Sequence, residues 1–340
     1  MGVRMAGVAL AACIAFGGAA FAADYHAPRT AFGQPDLQGV WTNASLTTLE
    51  RPPMFKTLTV SEAQAAAFEK ARAARRAAAD RPTDPNAPAP PVANDPGGYN
   101  AGWTDPGTAM GRIAGEVRTS WLIDPADGKL PYSVAGRRAF DTTLRRARTD
   151  FDGPEARPLG ERCILGFGSS AGPPMLNVLY NNNYQIVQSP DAVAIVVEMN
   201  HDVRTIRLNA KAHLPPNIRP WMGDSIGRWE GETLVVETTN FNPGESLRPY
   251  FGATLYLSKE AKVTERFTRV SPSQILYEFQ VEDPSVFTQV WKAQMPLNAT
   301  KGPVYEYACH EGNYALPDIL SGARAAEKAG KTPDAANLSE

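Results

Sequence analysis

From about residue 180 onward, apolar and polar side chains alternate with a period of two, and short turn-forming sequences interrupt the alternation. This pattern is typical of β-strands that bury one face. Sequential strands with short links favour an antiparallel meander, which must curl or close to hide its edges. We therefore predict a mainly β protein whose meander closes into a β-barrel or bends strongly, with a flat two-sheet sandwich as the alternative. The predicted strands lie at 184–188, 192–199, 203–208, 226–229, 232–239, 253–257, 262–270, 274–282, 286–295 and 303–309.

The pattern before residue 180 is different and includes helical segments. Ser61 and Gln64 have the spacing of a capping box, and residues 62–79 are rich in alanine and charge without Pro or Gly, which predicts a helix. Six prolines in 81–98 predict an extended linker or wrapping arm. Residues 118–148 are expected to form a strand, a turn and a helix that begins after Ser133. We divide the chain into a wrapping region at 23–179, the meander at 180–320 and a C-terminal tail at 321–340.

The first 22 residues have the features of a secretory signal peptide cleaved near Ala22. A basic start at Arg4 precedes an apolar run and a small-residue ending. This predicts a periplasmic or secreted protein. The sequence around Cys13 also resembles a lipoprotein cleavage box, so lipid anchoring is the alternative. Beyond this segment the longest apolar run is about six residues, at 192–197, against roughly 18 for a spanning helix, so no transmembrane span is predicted.

Cysteine usage and net charge bear on a possible disulfide and on the expected partners. Removal of the leader leaves Cys163 and Cys309, which in an oxidising compartment are a candidate disulfide, the alternative being two free thiols. The formal net charge of −2 offers no broad basic field, so nucleic acid is not an expected partner. Oligomeric state is left open, and a small molecule is the expected partner.

Alternation also predicts which strand residues point inward. In strand 262–270, Glu265 shares a face with Val263 and Phe267, where an ionised carboxylate is costly unless it is paired. The same alternation places Glu198 and Glu306 on apolar strand faces, so one to three inward carboxylates are expected. Each either serves acid–base chemistry or forms an internal salt bridge with an arginine such as Arg204.

The histidines that follow the N-terminal tail all fall on predicted loops or strand ends. His201, His213 and His310 could meet as a metal site with help from Glu198 or Glu311. The chain has no HxH, HExxH or CxxC spacing, so metal-free acid–base or binding roles are favoured. No cofactor is therefore expected, although a divalent metal stays open.

Several longer segments resemble the signature segments of a large family of exported proteins of Gram-negative soil and water bacteria. That family has no settled activity, so the resemblance implies export and supplies no mechanism. Gly39-Val40-Trp41 also resembles the first-strand GxW motif of lipocalins, which adds to the expectation of a lipocalin-like or calycin-like barrel. The segments are PDLQGVW (35–41), RTSWLIDPADGKLP (118–131), NNNYQIVQ (181–188), MGDSIGRWEGETLVVETTNFN (222–242), VTERFTRV (263–270), VEDPSVFTQVWKAQMPL (281–297) and YEYACHEGNYAL (305–316).

Taken together, these features favour an exported enzyme that acts on an aromatic or glycosidic compound inside a barrel cavity by lyase, isomerase or hydrolase chemistry. The alternatives are a periplasmic carrier using the same cavity without chemistry, and a surface interaction protein using residues 61–98. The expected catalytic residues are His201, His310, Glu265, Glu198 and Asp224. The expected substrate-binding residues are Asn182, Arg204, His213, Trp221 and Asn240.

Overall fold

The computed structural model describes residues 25–79, 104–166, 170 and 172–333. The predicted signal peptide, Cys13 and the Pro-rich segment 81–98 lie outside the described residues. The described helices are α1 (Glu62–Ala79), α2 (Val134–Thr149) and α3 (Ala315–Lys328). The described strands are β1 (Gly39–Thr42), β2 (Thr59–Val60), β3 (Arg112–Ile113), β4 (Glu116–Arg118), β5 (Leu122–Asp124), β6 (Asn183–Gln188), β7 (Ala192–Val197), β8 (Val203–Arg207), β9 (Asp224–Glu230), β10 (Thr233–Thr239), β11 (Leu247–Tyr250), β12 (Ala253–Tyr256), β13 (Lys262–Ser271), β14 (Gln274–Glu282) and β15 (Trp291–Ala299).

Nine of these strands close into a β-barrel. Their order is β1-β6-β7-β8-β9-β10-β13-β14-β15, and β1 also pairs with β15, so the ring has no free edge. The predicted barrel is confirmed and the flat sandwich is wrong. The meander is not wholly antiparallel, because β8 and β9 run parallel with Ile206 opposite Ser225. A parallel pair requires a crossover connection, which residues 208–223 provide.

Side chains fill the barrel interior. Alternate residues of the strands point inward, and the largest of them are aromatic. Their burial stabilises the fold by roughly 1.5–3 kcal/mol for each side chain removed from water. The expected open ligand cavity at the centre of the barrel is therefore replaced by a packed core. Its largest fully buried members include Trp41, Tyr184, Phe267, Tyr277, Phe279 and Trp291.

Two predicted strands near the C-terminus differ from the structure. Residues 303–309 form no strand although their polar and apolar residues alternate. The reason is topological, since β1 already pairs with β15 and leaves no edge to which another strand could add. The strand predicted at 286–295 begins only at Trp291 and continues to Ala299. Helix α3 crosses the predicted boundary between meander and tail at residue 320, so that boundary is wrong as a structural division.

The N-terminal region supplies β1 to the barrel and otherwise forms α1, α2 and a small three-stranded sheet. Helix α1 has the predicted bounds, and its capping box forms because the Ser61 backbone N–H donates to Gln64 Oε1 at 3.0 Å. Helix α2 begins after Ser133, whose Oγ accepts from the Gly136 N–H at 2.9 Å. The strand predicted at the start of 118–148 is divided instead between β4, which pairs with β2 and β3, and β5, which extends the barrel sheet beside β15.

One end of the barrel is covered by a loop segment. We call the end where β7 passes into β8, β10 ends and β13 begins the capped end. The described residues of 165–178, which we call the capping segment, enter the core there through Leu165, Met175 and Leu176. The predicted disulfide between Cys163 and Cys309 is present, and it ties the start of this segment to the chain beyond β15.

Candidate functional site

Inside the capped end, one arginine and one glutamate form a buried ion pair. Arg204 on β8 and Glu265 on β13 are 2 % and 0 % exposed. Both guanidinium Nη atoms bond the carboxylate, with 2.9 Å between Arg204 Nη1 and Glu265 Oε1. The period of two correctly placed Glu265 inward with Val263 and Phe267. It also correctly suggested Arg204 as the partner in an internal salt bridge.

The remaining polar atoms of this pair are also bonded. Arg204 donates to Ser225 Oγ and Thr238 Oγ1, each at 3.1 Å. Tyr277 Oη donates to Glu265 Oε1 at 2.7 Å and accepts from the Met175 backbone N–H at 3.0 Å. Burial acts to lower the pKa of Arg204, but Glu265 raises it overall. A buried pair with this many partners is a structural element that joins five strands, β8, β9, β10, β13 and β14, to the capping segment.

A second buried pair lies at the same end but is bonded differently. Glu245 ends the turn Pro243–Glu245, and Arg248 is the second residue of β11 in the short β11–β12 ribbon. The two residues are 2 % and 1 % exposed, and Glu245 Oε1 lies 3.1 Å from Arg248 Nη1. Despite this distance, neither Glu245 oxygen meets hydrogen-bond geometry with any partner. Glu245 is therefore a buried carboxyl with an ionic neighbour and no hydrogen bonds.

Arg248 is held in place by the capping segment. Its Nη1 donates to the carbonyl oxygens of Gly172 and Pro173, both at 3.1 Å. Its guanidinium carbon lies 5.1 Å from the ring centroid of Phe241, within the range of a cation–π contact. Its Nε has no partner. The arginine is thus fixed on one edge and unsatisfied on the other.

The surroundings of Glu245 favour its protonated form. Burial raises the pKa of Glu245 to about 8, with Asp202 adding to the rise and Arg248 opposing it. Burial also raises the pKa of Asp202 to about 6, although the Gly166 N–H donates to its Oδ2 at 3.4 Å. At pH 7 the buried Glu245 is mainly a neutral acid and the partly exposed Asp202 is mainly a carboxylate. The capped end thus holds one buried acid and one partly exposed carboxylate whose charge acts on the pKa of that acid.

Ser170 of the capping segment adds another unsatisfied group. It is fully buried, and its Oγ has no hydrogen-bond partner among the residues that the structure describes. A Cβ atom built on Gly166 would lie 3.2 Å from this Oγ, while the Gly166 N–H bonds Asp202. Two residues further along, Gly172 bonds Arg248. Along the chain, Ser170 therefore lies between Gly166, which contacts Asp202, and Gly172, which contacts Arg248.

Three of the expected catalytic residues lie outside this cluster. Val193, Ile195 and Val197 are the inward residues of β7, so Glu198, which follows the strand, is not inward as predicted. Glu198 instead accepts from Asn183 Nδ2 at 2.8 Å and lies beside the irregular segment 303–309 through Tyr305. The other two, His201 and His310, are exposed. Glu306, whose predicted strand does not form, is exposed as well.

Four expected site residues gather on the outer surface around the crossover 208–223. His213 Nδ1 lies 2.9 Å from Asp224 Oδ2, and His213 Nε2 lies 3.2 Å from Glu237 Oε1. Asn240 Nδ2 donates to three crossover carbonyls, including Leu214 O at 2.9 Å. Burial acts to raise the pKa of Asp224, but bonds from Leu214, His213 and Arg207 lower it. These side chains hold the crossover in place, and Trp221 packs beside them against Gly244.

The last predicted binding residue, Asn182, also has structural partners. Its side chain accepts from the Val178 N–H at 2.8 Å and donates to Val178 O and Asp105 O. As for metals, no group of three His, Cys, Asp or Glu side chains in the described parts of the chain could hold an ion. His201, His213 and His310 therefore do not meet as the sequence suggested. None of the helices in the described ranges is long and apolar enough to cross a membrane.

Sequence reasoning missed Glu245 and Arg248, and it treated Tyr277 only as an apolar-face residue. Glu245 and Arg248 sit in a turn and a two-stranded ribbon outside the barrel sheet, where no alternation marks the inward face. Asp202 lacked a signal because its burial depends on the capping segment. The close spacing of the acidic Glu245 and the basic Arg248 along the sequence was the one feature that could have drawn attention to these two residues.

Fold and disulfide define the class of protein, a disulfide-linked, nine-stranded mixed β-barrel with one capped end. Comparison of the chain with protein-family models and with curated proteins gives no significant match. The particular function must therefore be argued from the residues of the capped end.

Proposed function

We propose that this protein is an exported enzyme that performs acid–base chemistry on a small molecule at the capped end of the barrel. The observation that carries the proposal is the buried Glu245 carboxyl, which lies beside Arg248 and has no hydrogen-bond partner. Structural carboxylates inside proteins are normally bonded, as Glu265 is, so an unsatisfied one marks a site with another use.

The two carboxyls of the site divide the work by environment. Glu245 stays protonated near neutral pH and serves as the general acid, because burial raises its pKa to about 8. Asp202, with a pKa raised to about 6, is ionised at pH 7 and serves as the general base. Arg248 stabilises negative charge that develops on the substrate. This pairing fits lyase, isomerase or hydrolase chemistry, the classes expected from the sequence.

Export is part of the proposal. The disulfide between Cys163 and Cys309 is typical of a periplasmic or secreted protein and agrees with the predicted signal peptide. The aromatic or glycosidic character of the substrate stays a prediction, as do membership of the exported bacterial family and the absence of a cofactor.

A ligand carrier is the second candidate, and a specific observation favours it. Glu245 and Arg248 are almost fully enclosed, so a molecule bound beside them would be shielded from water. Enclosure is also what a binding protein needs to retain its ligand. The two functions therefore share a site and differ in whether the bound molecule is changed.

The test is incubation of the purified mature protein with a small-molecule extract of Gram-negative periplasm, followed by mass spectrometry of the free and bound fractions. We expect one compound to be consumed and another to appear, with the rate roughly 100-fold lower or more in Glu245→Gln. Glu278→Gln changes a buried carboxyl on the face of barrel strand β14 that is turned away from the core, and as the matched control it should keep the wild-type rate.

Three outcomes separate the candidates. Consumption that depends on Glu245 supports the enzyme. A compound that is retained by the protein and recovered unchanged after denaturation supports the carrier and contradicts the enzyme. Full turnover in a correctly folded Glu245→Gln variant shows that the catalytic groups lie elsewhere.

A further inference from the structure

The unsatisfied atoms at the capped end are able to donate hydrogen bonds. Arg248 Nε–H has no partner, and neither has the Ser170 hydroxyl. Protonated Glu245 adds a third donor, its carboxyl O–H. Buried polar groups without partners cost about 1–3 kcal/mol each, and a bound acceptor at this end would remove that cost.

The charges at the same end are also unbalanced. The charge of Arg204 is compensated by Glu265 through two hydrogen bonds. Arg248 has only Glu245 as a near neighbour, and a neutral Glu245 does not compensate it. Asp202 is the other acid near Glu245, but it is partly exposed and is bonded by the Gly166 N–H. When Glu245 is protonated, the buried positive charge of Arg248 therefore has no counterion among these groups, which is costly in a low-dielectric interior.

We infer that the capped end binds an oxyanion group of its ligand, a carboxylate or a phosphate, through Arg248 Nε, Ser170 Oγ and the Glu245 hydroxyl. The oxyanion supplies the two things that the site lacks, which are hydrogen-bond acceptors and a negative charge. The inference rests on the proposed function in that it uses the same site, and it names the chemical class of the substrate.

Other ligand classes fit less well. A cation would meet two buried guanidinium groups, Arg204 and Arg248. Burial lowers the pKa of Arg248, Glu245 partly opposes this, and repulsion from Arg204 adds to the lowering. A neutral molecule or a water could accept hydrogen bonds, but it would leave the charge of Arg248 uncompensated. The ligand must also approach Arg248 from the Nε side, because Nη1 is occupied by the carbonyls of Gly172 and Pro173.

Binding should be measured by isothermal titration calorimetry with sodium benzoate, sodium phosphate, benzamide and benzylamine at constant ionic strength. We expect benzoate or phosphate, but neither benzamide nor benzylamine, to bind at one site per chain. Arg248→Met should weaken this binding roughly 10- to 100-fold, because it removes a charged partner. Ser170→Ala, which is expected to fold even if the arginine variant does not, should weaken it roughly 5-fold. Arg207→Gln, on the outer surface, should bind as the wild type does.

Proton uptake gives a second measurement that does not depend on turnover. An anion beside Glu245 further favours its protonated form, so titration at pH 8 in buffers of different ionisation enthalpy should reveal uptake of up to about half a proton. Arg248, Asp202 and Arg204 are the charged groups that act on Glu245 or on its partner arginine. The uptake should vanish in Glu245→Gln.

The outcomes distinguish the sources of the oxyanion. Binding of benzoate alone indicates an organic acid, and binding of phosphate alone indicates a phosphate ester. Binding that is equal in the wild type and in both variants means an adventitious ion only, and it overturns the inference, as would preferential binding of benzylamine. Oxyanion binding without any turnover supports the inference while contradicting the proposed enzyme, whereas turnover of a compound that lacks an oxyanion does the reverse.

Discussion

The capped end holds two buried arginine–glutamate pairs with opposite degrees of satisfaction. Arg204 and Glu265, inside the barrel, make hydrogen bonds to each other and to Ser225, Thr238 and Tyr277. Glu245 and Arg248, beneath the capping segment, lie 3.1 Å apart, but the carboxyl makes no hydrogen bonds with the described residues. Burial is therefore nearly equal in the two pairs, and what differs is the number of partners.

This difference assigns the two pairs to different roles. A fully bonded pair resists change, because moving either partner breaks several contacts at once. An under-bonded pair keeps a carboxyl that can give up its proton and an arginine edge that can accept a ligand. The comparison predicts that mutations in the first pair change stability and that mutations in the second change function and pH dependence.

The largest expected effect is on the satisfied pair. Glu265→Ala leaves Arg204 buried without its counterion and removes the acceptor of Tyr277 Oη, so the free energy of unfolding should fall by about 3–5 kcal/mol. Urea denaturation at pH 7 measures this. The double variant Arg204→Met/Glu265→Leu replaces the pair by apolar groups and should recover part of the loss. A change below about 1 kcal/mol in Glu265→Ala would show that the pair does not support the barrel.

The second effect is a pH dependence that belongs to Glu245. Its folded pKa, about 8, lies above the ordinary value of 4.5, so the stabilisation is complete below about pH 4.5 and is lost as the pH rises through 8. The slope reaches about 1.4 kcal/mol per pH unit, or roughly 3 kcal/mol between pH 5 and 8. Glu245→Gln should remove this slope in urea denaturation across that range.

Asp202 provides the internal control for this measurement. Its pKa is raised to about 6, so its own contribution is lost between about pH 4 and 6 and is present in both proteins. Because this contribution cancels, the difference between the wild type and Glu245→Gln should change steadily between about pH 4.5 and 8 and follow Glu245 alone. Parallel stability curves up to pH 9 would contradict the assignment of a neutral Glu245.

The third effect concerns the attachment of the capping segment. The Cys163–Cys309 disulfide spans 146 residues, and its removal should lower the free energy of unfolding by about 2–4 kcal/mol. In Cys163→Ser/Cys309→Ser, hydrogen exchange should become faster at Met175 and its neighbours, while amides of β13 and β14 stay protected. Equal loss of protection in both regions would show that the two pairs do not belong to separable parts of the fold.

The satisfied pair was predictable from the sequence, and the physical reason is the strand period. Alternation in β13 placed Glu265 among Val263 and Phe267, and this relation holds wherever the strand lies in a barrel. Arg204 followed as a plausible partner because a buried carboxylate needs one. The barrel itself followed from the succession of short strands, although the parallel pairing of β8 and β9 depends on the path of the crossover.

The unsatisfied pair was not predictable by the same reasoning. Glu245 and Arg248 lie outside the barrel strands, so no period states which way they point. Their burial arises from Gly172, Pro173 and other parts of the capping segment, which meet them only in the folded chain. The failed strand at 303–309 has the same cause, since its alternation was suitable but the closed barrel offered no edge. Contacts between distant segments decided both cases.

The smallest effect is expected at a third buried carboxyl, Glu278, which tests whether burial or partner number governs the comparison. Alternation placed Glu278 on the solvent face of β14, but it is only 8 % exposed, and burial raises its pKa although Gln294 Nε2 donates to it at 2.7 Å. Glu278 has one neutral hydrogen-bond partner, and its replacement leaves no buried cation without a counterion. Glu278→Gln should therefore change the free energy of unfolding by less than about 1 kcal/mol at pH 7. Its raised pKa implies stabilisation that is lost as pH rises, so the variant should show a slightly flatter pH profile than the wild type. If urea denaturation instead gave a loss as large as that of Glu265→Ala, burial alone would set the energetic importance of a carboxyl in this protein, and the distinction between the satisfied and unsatisfied pairs would fail.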